Sequence, residues 1–198
     1  MTAAAAALRS TLGFLQGMLI ACGVVLLGYC AFVLADPWIF QARENAALAR
    51  FAPTRSTAKR GGTPAPGPDG LIGRVEVQRL GISVVVMEGT SDQTLRRAVG
   101  HIAGTGLPGQ PGNVGLAGHR DTFFRPLKNI QSGDVITLTT LGGEYRYRVV
   151  STKVVDPESV DVLDSDGSEI LTLVTCYPFS YIGSAPGRFI VRAARITG

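Results

Sequence analysis

Four hydropathy regimes follow one another along the chain. Residues 11–35, TLGFLQGMLIACGVVLLGYCAFVLA, are apolar and carry no charge. As an α-helix this segment would extend about 37 Å, enough to cross a hydrocarbon core of about 30 Å. The pattern predicts one membrane-spanning helix behind a short N-terminal segment, residues 1–10. Residues 36–52, DPWIFQARENAALARFA, have helical composition, with Trp38 where an interfacial aromatic belt would fall. Residues 53–70, PTRSTAKRGGTPAPGPDG, are too rich in Pro, Gly and small polar side chains to bury a core, and read as a linker. Residues 36–70 thus form a juxtamembrane helix and linker.

From Leu71 the pattern changes to short alternating or apolar runs bounded by turn residues: GLIGRVEV, GISVVVMEG, NVGLAGH, DVITLTT, EYRYRVVSTKVV, EILTLVTC and RFIVRAARI. Residues 71–198 are predicted to be an all-β domain of seven or eight strands. One helical interruption is expected at SDQTLRRAVGHIA, where Ser91 or Thr90 can cap and Leu95, Ala98, Val99 and Ile102 fall at helical spacing. FFRPLKNI reads as a further short turn. Strand count alone leaves a closed barrel and a sandwich both open.

Length and composition narrow the picture only modestly. A chain of 198 residues suits one domain of ordinary size plus extra segments. The net charge of +4 comes from scattered arginines rather than a block, which gives no footprint for nucleic acid. At the N-terminus a cleaved signal peptide is the rival reading, with Arg9 as its charged region and Val33 and Ala35 before the cut. LIAC at 19–22 also has the form of a lipobox, although thirteen further uncharged residues follow Cys22. The length of the apolar run favours an uncleaved anchor. Arg9 on one side against Arg43, Arg50 and Arg55 on the other makes simple positive-inside counting lean against an exported C-terminal domain. The exported reading rests on the chemistry instead.

Cys22 and Cys30 lie in the apolar run, so Cys176 has no disulfide partner in the β-domain, and a lone thiol in an oxidising compartment needs a reason. Cys176 ends the run EILTLVTC before Tyr177 and Pro178, and a proline cannot donate within a central strand. The thiol therefore sits at a strand end. The chain passes through FSYIGSAPG and enters the next strand at Arg188. If the two strands pair as a hairpin, Cys176 and Arg188 are neighbours at one rim. A free thiol with a pKa of about 8.5 needs a base or a cation nearby to act as a nucleophile. Of the two histidines, His119 ends NVGLAGH and falls where a strand delivers its last side chain, whereas His101 lies in the helical segment. Each of these residues also has a structural reading: a cysteine as a small hydrophobe, an arginine solvated at a strand end, a histidine held in a packed site. Neither histidine has a neighbouring cysteine pair, and Asp156, Glu158, Asp161, Asp164 and Asp166 lack EF-hand spacing, so no metal or cofactor is expected.

Taken together, TLVTC, the arginine that opens the following strand and LAGHR resemble the sortase family of membrane-anchored cysteine transpeptidases. The order is histidine, then cysteine, then arginine, over about residues 71–198. GHIAGTGLPGQPGNVGLAGHRDTFFRPLKNIQSGD is most similar to the class D group. The resemblance implies a closed eight-stranded β-barrel with short helices. It also implies that Cys176 attacks an LPxTG-like sorting motif to form a thioester acyl-enzyme. His119 would exchange protons with the departing and incoming amines, and Arg188 would bind the substrate backbone or oxyanion. Thr175 would help to bind substrate, and His101 is expected to take no part in catalysis. The implied partners are surface proteins bearing the sorting signal and an amine acceptor such as a peptidoglycan precursor or a pilin lysine. The catalytic domain would lie outside the cytoplasmic membrane. Two other functions fit the same residues: a non-catalytic tethered β-domain, and a cysteine hydrolase using the same three side chains.

Overall fold

The computed structural model describes residues 2–51, 66–181 and 183–196. The chain divides into two compact units, one ending at Ile39 and one beginning at Phe40. Helix α1, Thr2–Phe51, runs through Pro37. It contains one stretch, Leu12–Ala46, long and apolar enough to cross a membrane. The greater part of the expected linker, residues 52–65, lies outside the described residues.

The second unit is a closed barrel of eight strands: β1 (Leu71–Val77), β2 (Ile82–Glu88), β3 (Val99–His101), β4 (Asn113–Ala117), β5 (Val135–Thr140), β6 (Gly143–Val155), β7 (Ile170–Tyr177) and β8 (Gly187–Arg195). Around the barrel the order is β1-β2-β3-β4-β7-β8-β6-β5, and β5 returns to β1. The barrel answers the question that strand count left open. Alternate side chains, among them Val75, Val84, Val114, Leu116, Leu171, Leu173, Val191 and Ala193, fill one interior core. This is the period of two by which successive strand residues face opposite sides. Closure leaves no open sheet edge.

The helical segment is shorter than its periodicity suggests. Ser91 caps helix α2, Asp92–Arg97, by accepting from the Thr94 N–H, but the helix stops there and the chain becomes β3. Gly100 and His101 pair with β2 on one side and β4 on the other, and a Cβ on Gly100 would stand 2.3 Å from the Gly89 carbonyl oxygen. Closing the barrel needs a strand there, and that tertiary requirement overrides the helical spacing. FFRPLKNI does form a short 3-10 turn, Arg125–Asn129.

The barrel wall carries two further ties outside the core. β3 is too short to cover the whole edge of β2, and there Gln41 completes the hydrogen bonding. Its Oε1 accepts from the Val85 N–H at 2.9 Å, and its Nε2 donates to the Arg97 carbonyl at 2.6 Å. Phe40 packs beside Leu71 and Val85. The folded unit therefore begins well before residue 71.

Arg79, in the β1–β2 turn, donates through Nε and Nη2 to the two carboxylate oxygens of Asp134 at 2.6 and 2.5 Å, and Nη2 also donates to the Asn129 carbonyl. This fork-to-fork pair joins the turn to the entrance of β5. The bond from Arg79 foremost, opposed by burial and aided by the Gln131 N–H, holds the Asp134 carboxyl below its ordinary value. A depressed carboxyl stabilises the fold above its unfolded pKa of about 4, and that contribution is lost as pH falls through the folded value. Asp134→Asn should therefore lower Tm by on the order of 5 °C at pH 7. The gap from wild type should narrow as the pH falls below about 4 and on through the folded value, which thermal unfolding across the acid range would measure.

Candidate active site

Strand parity and register decide which side chains meet on the wall built from β4, β7 and β8. Leu171, Leu173, Val191, Ala193, Val114 and Leu116 point into the core. The alternate residues of the same strands must face outward. Cys176 ends β7 on that outward set, and the antiparallel β7–β8 ladder places Arg188 directly across from it. On the other edge β4 runs parallel to β7, with Ala117 opposite Val174. His119 follows Ala117 by two residues, as Cys176 follows Val174. The Gly118 N–H donates to the Val174 carbonyl at 3.1 Å, which carries the pairing one residue past the strand. His119, Cys176 and Arg188 are each half-buried.

Thr175 is placed differently. It is 2 % exposed, it alternates with Cys176 and so faces inward, and its hydroxyl donates to the Gly118 carbonyl at 2.7 Å. The contact binds the end of β7 to the residue before His119. Gly118 itself admits no side chain, since a Cβ there would sit 2.7 Å from the ring of Phe124.

The outer face below the thiol is roofed. Asn113 donates through Nδ2 to the carbonyls of Val162 and Asp164 and accepts the Thr172 hydroxyl at 2.8 Å. This bolts a 3-10 turn, Val160–Leu163, against the wall. Thr105 and Leu163 cover Gly115. Past that cover, Ala117, Val174 and Cys176 are only half-buried.

Arg188 donates through Nη1 to the carbonyls of Ala185 and Gly187 at 3.3 and 3.0 Å. Among the described residues these are its hydrogen bonds, and they leave Nε and Nη2 for an incoming group. His101 has no such freedom. It is 3 % exposed, its Nδ1 is 3.0 Å from Glu88 Oε2, and its Nε2 is 3.0 Å from both the Gly106 carbonyl and Thr105 Oγ1. Thr105 donates its own proton to the Ile102 carbonyl and accepts from the Gly115 N–H. His101 therefore ties β2 to the β3–β4 loop.

Sequence reading missed Asn113, whose signal was an amide side chain at the head of an otherwise apolar strand. It also passed over Arg120, which stands beside His119 in LAGHR. Arg120 donates to the carbonyls of Pro178 and Gly183 in the segment that connects β7 to β8.

A closed eight-stranded barrel with this wall is the framework of a cysteine transpeptidase. Residues 75–196 match the family model of the sortase domain, and the chain belongs to the sortase family. Its likeness runs to the class D group. It is 33 % identical over 190 residues to sortase D of Bacillus subtilis (strain 168), spanning 90 % of this chain and 96 % of that protein. Sortase A of Listeria monocytogenes is 33 % identical over 112 residues, which cover 54 % of this chain and 50 % of that protein. Among solved structures, a sortase D5 transpeptidase from Clostridium perfringens superposes with a TM-score of 0.62 at 29 % identity, covering 75 % of this chain and 92 % of the other. Sortase C-1 from Actinomyces oris gives 0.61 at 32 % identity, covering 66 % and 76 %.

Proposed function

We propose that this sortase cleaves an LPxTG-like sorting motif and transfers the protein that bears it to an amine at the cell surface. The observation that carries the reading is the β7–β8 ladder that sets Arg188 across from Cys176, with His119 two residues past the end of β4, the parallel strand that pairs with β7. The Cys176 thiolate adds to the carbonyl carbon of the scissile peptide. As the tetrahedral intermediate collapses, the C–N bond breaks and His119 gives its proton to the departing amine. The products of this half are a Cys176 thioester and a free C-terminal fragment. In the second half an incoming amine attacks the thioester, His119 takes its proton, and the thiolate leaves. Arg188, with Nε and Nη2 available, donates to the oxyanion in both halves. Thr175 holds Gly118, and so His119, in register.

Residues 11–35 serve as the membrane anchor, residues 36–70 as the tether and residues 71–198 as the catalytic barrel, which lies outside the cytoplasmic membrane. Substrates retained at the same membrane would meet a tethered enzyme at high effective concentration. The acceptor is an amine of the peptidoglycan-precursor or pilin-lysine kind, and its placement at the surface is what outweighs the charge count of Arg9 against Arg43, Arg50 and Arg55.

The test is mass spectrometry of the full-length chain in detergent, incubated with an LPxTG-type peptide with and without diglycine. A thioester on Cys176 and a ligated product that appears only with diglycine support the reading. A product that is hydrolysed regardless of added amine assigns a hydrolase instead, and the absence of any adduct across varied motif peptides removes the substrate assignment.

A further inference from the structure

Between Tyr177 and Gly187, which pair with each other, the chain makes an excursion that starts two residues after Cys176 and ends at Arg188. Among its described residues, the Tyr181 N–H reaches the Pro178 carbonyl at 3.3 Å. Two arginines hold it. Arg188 takes the carbonyls of Ala185 and Gly187, near the exit. Arg120, from the turn after β4, takes two more: Nη1 donates to the Pro178 carbonyl at 3.1 Å and Nη2 to the Gly183 carbonyl at 2.9 Å. Its guanidinium also lies over the ring of Tyr181, 5.8 Å from the centroid. Gly183 has φ of +100°, a conformation that a residue with a side chain rarely adopts, and this backbone geometry sets the carbonyl that Arg120 receives.

We propose that Arg120 is a positioning residue for the transfer reaction, the clamp that fixes the β7–β8 segment and so holds Cys176, Arg188 and His119 in one geometry. The inference rests on the proposed roles of those three residues. The chemistry selects arginine. Two carbonyls at different points of a loop need two donors in a fixed planar fork, and a lysine ammonium is a single point of donation. The division of labour between the two arginines follows from their contacts. Arg120 spends both terminal nitrogens on carbonyls and its face on an aromatic ring, while Arg188 keeps Nε and Nη2 open. Covalent connection does the rest, because Arg120 follows His119 directly and its carbonyl partners flank the span between Cys176 and Arg188. Freeing the clamp therefore loosens all three groups at once, and near-attack geometry is sensitive to displacements of about 1 Å.

The test compares wild type, Arg120→Ala, Arg120→Lys and, as control, Arg125→Gln, an exposed arginine in the next turn, all as full-length chains in detergent. Two readouts are taken: amide hydrogen exchange of residues 179–185, and kcat and KM for peptide transfer to diglycine. A clamp predicts exchange faster by about tenfold or more in that segment for both Arg120 variants, with the barrel strands unchanged. It also predicts kcat lower by about tenfold or more with KM within about threefold, and Lys failing to restore it. Full recovery of kcat by Lys would overturn the clamp in favour of a role for charge alone. A loss confined to KM would make Arg120 a substrate contact, and unchanged exchange would remove the clamp altogether. If wild type transfers nothing, the substrate reading fails by itself, and hydrogen exchange in the resting protein still decides the clamp.

Discussion

Cys176→Ala is expected to abolish transfer while leaving the barrel intact. Loss of the nucleophile removes both halves of the reaction, since no thioester can form and no acyl group is left for the amine to take. A decrease of at least about 10⁴-fold in kcat/KM is expected, down to the detection limit of a peptide ligation assay. The expectation of an undisturbed fold has its own basis. Cys176 faces outward at the end of β7, whereas the interior core is made by Leu171 and Leu173 of that strand with side chains from its neighbours. Trimming a half-exposed side chain outside the core should move Tm by no more than about 2 °C. Ligation by the alanine variant at a measurable fraction of the wild-type rate would sink the assignment of the nucleophile. A large fall in Tm would show instead that Cys176 is a packing residue.

Arg188→Lys is expected to lower kcat by about 10²–10³-fold with little change in KM, the loss typical of one oxyanion donor. The substitution keeps the charge, so the prediction depends on geometry. Arg188 already gives Nη1 to the carbonyls of Ala185 and Gly187, and it pairs with Cys176 in the β7–β8 ladder. A lysine can satisfy the loop or reach the oxyanion, not both. Steady-state kinetics on the lysine variant would check this, with single-turnover acylation to isolate the first half. Wild-type kcat in the lysine variant would mean that a positive charge suffices at this position, and the oxyanion role would have to pass to backbone N–H groups.

Much of the wall was legible in advance because its logic is local. Cys176 before Tyr177 and Pro178, a turn-rich excursion, then a strand opening at Arg188 together specify a hairpin, and an antiparallel hairpin brings those two residues level. Seven of the eight strands announce themselves by β-branched runs between turn residues. β3 was not legible. Its three residues sit behind Asp92–Arg97, whose helical spacing runs on through Ile102, and only the empty place between β2 and β4 converts them to strand. His101 changed meaning with it, from a histidine on a helix to one locked between Glu88, Thr105 and Gly106.

The sequence by itself determined the apolar span, the β-rich character of the domain, the strand-end position of the thiol and its arginine neighbour, because each depends on residues close together in the chain and on fixed side-chain periods. Only the tertiary structure decided what crosses from one chain segment to another: the parallel alignment of β4 with β7, sealed by Thr175 on Gly118 across 57 residues, and the reach of Arg120 to Gly183 across 63. The physical reason is that a parallel neighbour has no turn to set its register. Its alignment is fixed by which side chains the closed barrel can bury together, and that is a property of the whole core.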